Sequence, residues 1–163
     1  MNALIANYEH AFLNPSLESQ VIQFHGGNIK LAELYIRNND NDKAWGYLNS
    51  LVLRDAKYKA AGKKDVVGAD HFLADVRITQ SKILKKEGKY EAAIEMLMMG
   101  YVDHIDKNIP FKAEKFEKDI NSMAKKLNWD EDMIQKLEKI ILNSSKKLNK
   151  EDAISSEYKK IVN

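Results

Sequence analysis

The chain has 163 residues, 44% hydrophobic and 31% charged, enough for one globular domain with its own core and too apolar for wholesale disorder. Its 26 basic and 24 acidic residues almost cancel and are interleaved, which argues against a nucleic-acid surface. There is no cysteine, so disulfides, thiol nucleophiles and cysteine-bound zinc are excluded.

The N-terminus MNALIANYEH has neither a basic start nor a long apolar core, so no secretory leader is expected. No apolar run approaches the roughly 18 residues that cross a bilayer. Together with the missing cysteines and the abundance of Lys, Asn and Ile, this leads to the expectation of a bacterial, cytoplasmic protein without membrane insertion.

Residues 3–13 place Leu4, Ile5, Tyr8, Phe12 and Leu13 at helical spacing. Asn14-Pro15 ends that helix and opens a second, since Asn is a favoured N-cap and Pro suits the first helical position. The second helix carries Leu17, Val21, Ile22 and Phe24 and is expected to stop at His25-Gly26-Gly27. A third runs from Asn28 to Arg37 with Leu31, Leu34 and Tyr35 on one face. The polar turn Asn38–Asn41 follows, and Asp42 leads into a fourth helix with Ala44, Trp45, Leu48, Leu51 and Val52, ending at Gly62 as the glycine after a helix end.

Lys63–Gly68 is the best internal loop. Asp70 is expected to cap a fifth helix bearing Phe72, Leu73, Val76, Ile83 and Leu84, with Lys82, Lys85 and Lys86 near its carbonyl end, where the helix dipole favours cations. Gly88 closes it, and EGKYEAAIEMLMMGY opens the sixth. His104–Pro110 reads as a loop. A seventh helix carries Phe111, Phe116, Ile120, Met123, Ala124 and Leu127. Asn128-Trp129-Asp130-Glu131 has the spacing of a capping box at the start of the eighth, which holds Met133, Ile134, Leu137, Ile140 and Ile141. Asn149 is expected to cap a last short helix through Ile161. No strand or hairpin pattern is present.

Two of these helix pairs share a pattern. Leu31-Ala32-x-x-Tyr35-x-x-x-Asn39-x-Asn41-x-x-Ala44-x-x-x-Leu48 aligns with Gln80-Ser81-x-x-Leu84-x-x-x-Gly88-x-Tyr90-x-x-Ala93-x-x-x-Leu97. Small residues let two helices approach and large ones fill the seam between them. The second segment, with Ser81, Leu84, Gly88, Tyr90, Ala93, Leu97 and Gly100, resembles the tetratricopeptide repeat, a helix–turn–helix unit of about 34 residues. The first lacks the aromatic after the turn, where Asn41 stands. Neither has the family's tryptophan or its closing proline in place; Pro110 comes about five residues late. Ala44 and Ala93 lie 49 positions apart, so Lys57–Asp70 reads as an insertion or as longer helices. The resemblance covers about half of the chain.

In that family the first helix of each pair lines a concave groove. Carried over, this puts Glu33, Ile36 and Arg37 on one wall and Ile78, Lys82, Lys85 and Lys86 on the next. A basic groove of this kind suits an acidic peptide or a terminal carboxylate. The family's carboxylate clamp of paired Lys and Asn is not present. The plainer reading of these lysines is a solvated helix surface.

Other chemistry is weaker. Of His10, His25, His71 and His104, none sits in an H-E-x-x-H pattern, and no G-x-S-x-G elbow occurs. His71 with Asp75, and Asp103-His104-x-Asp106, are the only pairings with metal-ligand character; surface polarity accounts for both more simply. Gly26-Gly27-Asn28 before a helix offers backbone amides to an anion, but without any phosphate-loop pattern a helix break is the simpler role. Trp45, Tyr90, Met96, Met98, Met99 and Trp129 are at helical spacing and read first as packing residues; Met98 and Met99, being adjacent, must face different ways.

The expectation is thus a single all-α domain over residues 1–163, an array of seven to eight helices in antiparallel pairs, tetratricopeptide-like or an irregular helical bundle. Its sub-units would be 1–62 and 70–163, joined by loop 63–69. The expected function is a non-enzymatic protein- or peptide-binding module with Arg37, Ile78, Lys82, Lys85 and Lys86 at the partner, no cofactor and no metal. Two alternatives are a small regulatory or immunity-type protein that sequesters one partner through a convex or C-terminal surface, and a metal-dependent helical enzyme built on His71, Asp75 or His104.

Overall fold

The structure, a computed structural model, describes residues 1–13, 25–60, 72–106 and 108–163. Among them the chain is all-helical, with eight α-helices and no strand: α1 (Asn2–Leu13), α2 (His25–Arg37), α3 (Asn41–Ala60), α4 (Phe72–Lys86), α5 (Tyr90–Asp106), α6 (Ala113–Ala124), α7 (Glu131–Ser144) and α8 (Lys150–Val162). A 3₁₀ turn, Lys125–Leu127, extends α6. The helix expected over residues 14–24, the Gly62 stop, the loop 63–69 and the Asp70 cap lie outside the described residues. The chain divides into two compact units, Met1–Thr79 and Gln80–Asn163, with the boundary inside α4.

One device ends four of the helices. At Asn39, Gly88, Asn108 and Asn128 the backbone turns left-handed, with φ of 60°, 75°, 60° and 56°. After each, two amides reach back into the last turn. Asp40 N–H donates to the Tyr35 carbonyl at 2.9 Å, Lys89 N–H to Leu84, Ile109 N–H to His104 and Trp129 N–H to Ala124, all at the same 2.9 Å. The left-handed residue itself donates to a carbonyl three positions back, as Gly88 does to Lys85 at 3.1 Å. These bonds satisfy carbonyls that a helix end otherwise leaves open. Only Gly and, next, Asn enter that conformation cheaply, which explains the residues found there.

In the first unit α2 and α3 pack along one another and α1 lies against α2. Their shared seam buries Leu31, Ala32, Leu34 and Tyr35 from α2 with Ala44, Leu48 and Leu51 from α3, and Ile5 adds from α1. The Tyr35 hydroxyl donates to Glu9 of α1, so its polar atom is satisfied inside the core. The Tyr35 ring stacks on Tyr47 with centroids 5.6 Å apart, and Lys43 lies over it at 5.3 Å.

In the second unit α5 is the central helix. It packs against α6, α7 and α8, and buries Ala93, Leu97 and Gly100 along one stripe and Ile94, Met98 and Tyr101 along another. A helix apolar on several sides is stable only when neighbours cover it. The covering helices are amphipathic: Phe116, Ile120, Met123 and Ala124 of α6, Ile134, Leu137, Ile140 and Ile141 of α7, and Ile154 and Tyr158 of α8 are buried. Specific polar ties fix their register. Tyr158 Oη donates to the Glu91 carbonyl at 3.0 Å, Ser155 Oγ to Glu95 Oε1 at 2.6 Å, and Tyr101 Oη to Asp119 Oδ2 at 3.0 Å.

Several boundaries differ from the sequence-based expectation. α2 begins at His25, three residues before the expected Asn28, so Gly26-Gly27 stand in its first turn. Glycine costs a helix about 0.5–1 kcal/mol in backbone freedom but does not forbid helical backbone, so a glycine pair alone does not set a boundary. The residue before α3 that takes the capping role is Asp40, whose side chain accepts from Lys43 N–H at 3.3 Å, and the helix starts at Asn41. Phe111 precedes α6, which starts at Ala113. The expected capping box does not form, and a single side-chain cap two residues later takes its place. Asn128 is consumed by the left-handed stop, and extended Asp130 caps α7 by accepting from Met133 N–H at 2.9 Å. Asn149 precedes α8 but makes no side-chain cap bond.

Candidate functional site

α4 carries the residues singled out by charge and spacing. Val76, Thr79, Gln80 and Ile83 recur at helical spacing on one buried face, and Ala74 and Ser81 are buried beside it. The Thr79 hydroxyl is satisfied within the helix, donating to the Asp75 carbonyl at 2.8 Å. Opposite this broad covered sector runs a strip that solvent reaches. Asp75, Lys82, Lys85 and Lys86 are exposed, and Ile78 is half-buried.

Lys82, Lys85 and Lys86 stand within little more than one turn of each other in the second unit. Lys85 and Lys86 occupy the last turn of α4, where the carbonyl end of the helix favours them. Just beyond, Lys89 pairs with Glu87 at 2.8 Å. Ile78 lies one turn before Lys82 on the same helix, within the first unit. Arg37 is the exposed last residue of α2, also in the first unit.

The two aligned helix pairs agree at the small residue, the leucine and the stop. Ala44 and Ala93 are fully covered, Leu48 and Leu97 are buried, and Asn39 and Gly88 both hold the left-handed stop. Tyr90, where the first pair has Asn41, is half-buried.

The remaining candidates resolve into packing. Met98 is buried while Met99 is half-buried, so adjacent methionines do face different ways. Trp129 sits 6.3 Å from the Tyr158 ring, between α7 and α8. His104 meets the edge of Tyr101 at 6.0 Å, and Asp106 is tied to Lys150 at 2.5 Å. Asp75 is exposed in the first turn of α4; His71 lies outside the described residues. Among the described residues no group of three or more His, Cys, Asp or Glu is placed to hold a metal ion, and no helix is long and apolar enough to cross a membrane.

Burial, followed by neighbouring carboxylates, raises three tyrosines well above their usual titration range. For Tyr35 the carboxylate is Glu9, for Tyr101 it is Asp119, and for Tyr158 it is Glu91. All three act as hydrogen-bond donors within the packed helices and are not poised as acids or bases.

One surface feature was missed by sequence reasoning. An open apolar surface in the second unit is formed where the α5–α6 loop meets Leu142 of α7. The segment reads as a polar loop because its apolar residues are few and aperiodic. No protein-family model, curated protein or solved structure matches the chain.

Proposed function

We propose that this chain is a non-enzymatic, cytoplasmic protein- or peptide-binding module of helical-repeat, tetratricopeptide-like type, acting on an acidic partner segment. The observation that carries the reading is the lysine strip of α4. Lys82, Lys85 and Lys86 project from a helix whose other faces are committed to packing. Such a helix fixes the spacing of the three lysine backbones and gathers their positive charge on one exposed strip, which favours the approach of an acidic segment. The repeated register of the α2–α3 and α4–α5 pairs supports the repeat-type reading. Arg37 and Ile78 enter through the family resemblance alone.

The test uses a fluorescein-labelled acidic peptide with a free terminal carboxylate, titrated against the full chain by anisotropy. Wild-type protein binds it in a salt-dependent manner. The double reversal Lys82→Glu with Lys86→Glu abolishes binding while the chain stays folded, with only a small fall in melting temperature because an acid in the last turn of α4 opposes the helix dipole. Binding that survives the reversal rejects the α4 assignment.

A further inference from the structure

α3 is 20 residues long and packs along α2, burying Ala44, Leu48 and Leu51. Its opposite side carries Asp42, Gly46, Asn49 and Leu53 at i, i+4, i+7 and i+11, and all four are exposed. Two of them are out of character for a solvated helix surface. Leu53 is 70% exposed. Gly46 stands in the helix interior, where only proline is less favourable than glycine. A Cβ at position 46 meets nothing within 4 Å, so packing among the described residues gives no reason for a glycine there.

The strip is complementary to itself. Two copies of α3 can be set antiparallel about a two-fold axis at the midpoint of Asn49 and Ser50. Leu53 of each copy then comes opposite Gly46 of the other, where the absent side chain leaves room for a leucine. The same axis brings position 42, an aspartate, opposite position 57, a lysine, so unlike charges meet at both ends of the contact. Asn49 and Ser50 stand between them, and their short side chains allow the backbones to approach. The Ser50 hydroxyl is already satisfied in its own helix, donating to the Tyr47 carbonyl at 2.7 Å. Knob, notch and both charges thus share one midpoint, as a two-fold contact requires. A parallel pairing would set Gly46 on Gly46 and Asp42 on Asp42 instead.

From this self-complementarity we infer that the outer face of α3 docks a second copy of this chain, antiparallel, with Leu53 of each copy seated on Gly46 of the other. One helix pair buries little surface, so the dimer is weak and dissociates on dilution. Each contact occurs twice, so each substitution acts twice. The face uses none of the α4 lysines, so this inference and the peptide-binding reading fail independently.

The experiment is sedimentation equilibrium of the full chain over a concentration series. A reversible monomer–dimer equilibrium is expected. Gly46→Leu and Leu53→Asp each shift it to monomer. Gly46→Leu also raises the melting temperature of the dilute protein, since leucine favours the helix more than glycine, so loss of the dimer is not loss of the fold. Asp42→Lys alone and Lys57→Asp alone each weaken the dimer roughly fivefold or more, the effect of an exposed ion pair lost twice. The two charge changes together restore it. The chain has no cysteine, so the register is read directly by oxidation. Gly46→Cys with Leu53→Cys gives disulfide-linked dimers, whereas either change alone does not, because like positions then lie about 10 Å apart along the helix axis. A chain that stays monomeric at its highest soluble concentration overturns the proposal. So does a dimer that Gly46→Leu and Leu53→Asp leave intact, a charge-swapped pair as weak as its single variants, or crosslinking by either single cysteine, which assigns a parallel pairing.

Discussion

The turn after α2 and the turn after α4 have the same backbone built from different residues. One places Asn39 at φ 60°, the other Gly88 at φ 75°, and each is followed by an amide that reaches back to close the helix. The helices that follow bury an alanine and a leucine at matching positions, Ala44 with Leu48 and Ala93 with Leu97. The pairs differ at the large residue before the turn. Tyr35 is buried and has its hydroxyl satisfied by Glu9, whereas Leu84 is half-buried and has no polar atom to satisfy. The comparison teaches that this chain repeats a backbone solution and a small/large register while letting the chemistry of the seam vary.

The equivalence breaks most visibly in the buried leucines. Leu48→Ala and Leu97→Ala are each expected to cost about 2–5 kcal/mol, the range for a truncated core leucine. Urea titration measures both; a cost for either below about 1 kcal/mol would show that its position is not part of a packed seam. Next come the stops. Gly88→Ala is expected to cost about 1–2 kcal/mol from the left-handed backbone. A Cβ there meets nothing within 4 Å, so no steric cost is added. Gly88→Asn recovers much of the loss, and Asn39→Gly is nearly neutral, if the two turns are interchangeable.

The tyrosine difference has its own signature. Tyr35 titrates far above the usual 10.0, through burial first and then the hydrogen bond and charge of Glu9. A raised native value means that the folded chain holds the phenol proton more tightly. The resulting stability is fully present below pH 10 and is lost as pH rises above it. Alkaline titration of the melting temperature should therefore show a steeper fall for wild type than for Tyr35→Phe. At neutral pH that variant loses about 0.5–1.5 kcal/mol for the missing bond. An unchanged alkaline slope would deny Tyr35 this role. The smallest effects belong to the exposed pairs beside the turns, Lys43 with Asp40 at 3.6 Å and Lys89 with Glu87 at 2.8 Å. Lys89→Ala should change stability by under about 0.5 kcal/mol, with no difference left at high salt, whereas Lys43→Ala also loses its place over the Tyr35 ring and should cost up to about 1 kcal/mol more.

Much of this was legible residue by residue. The spacing of Phe116, Ile120 and Met123, and of Ile134, Leu137 and Ile141, reads directly as one buried face on each of two helices. Gly88 reads as a stop, and the exposure of Lys82, Lys85 and Lys86 follows from their phase against Val76 and Ile83. The cap of α7 was assigned to Asn128 instead of Asp130 because Asn128 fits two local roles, and spacing does not say which one the backbone adopts. The start of α2 was set three residues late, at Asn28, for a related reason: glycine permits a helix boundary without requiring one.

By itself, then, the sequence determined the all-helical character, the turns at Asn38–Asn41 and Gly88, and the inward and outward faces of the helices. Each of these is decided within a few turns by periodicity and backbone preference. The tertiary structure decided which helix is central, α5, and which polar groups tie the others to it. It also decided that Phe111 and Leu142, 31 positions apart, line one open apolar surface. Such a surface comes from packing between distant segments, and nothing in the local pattern of either segment encodes it.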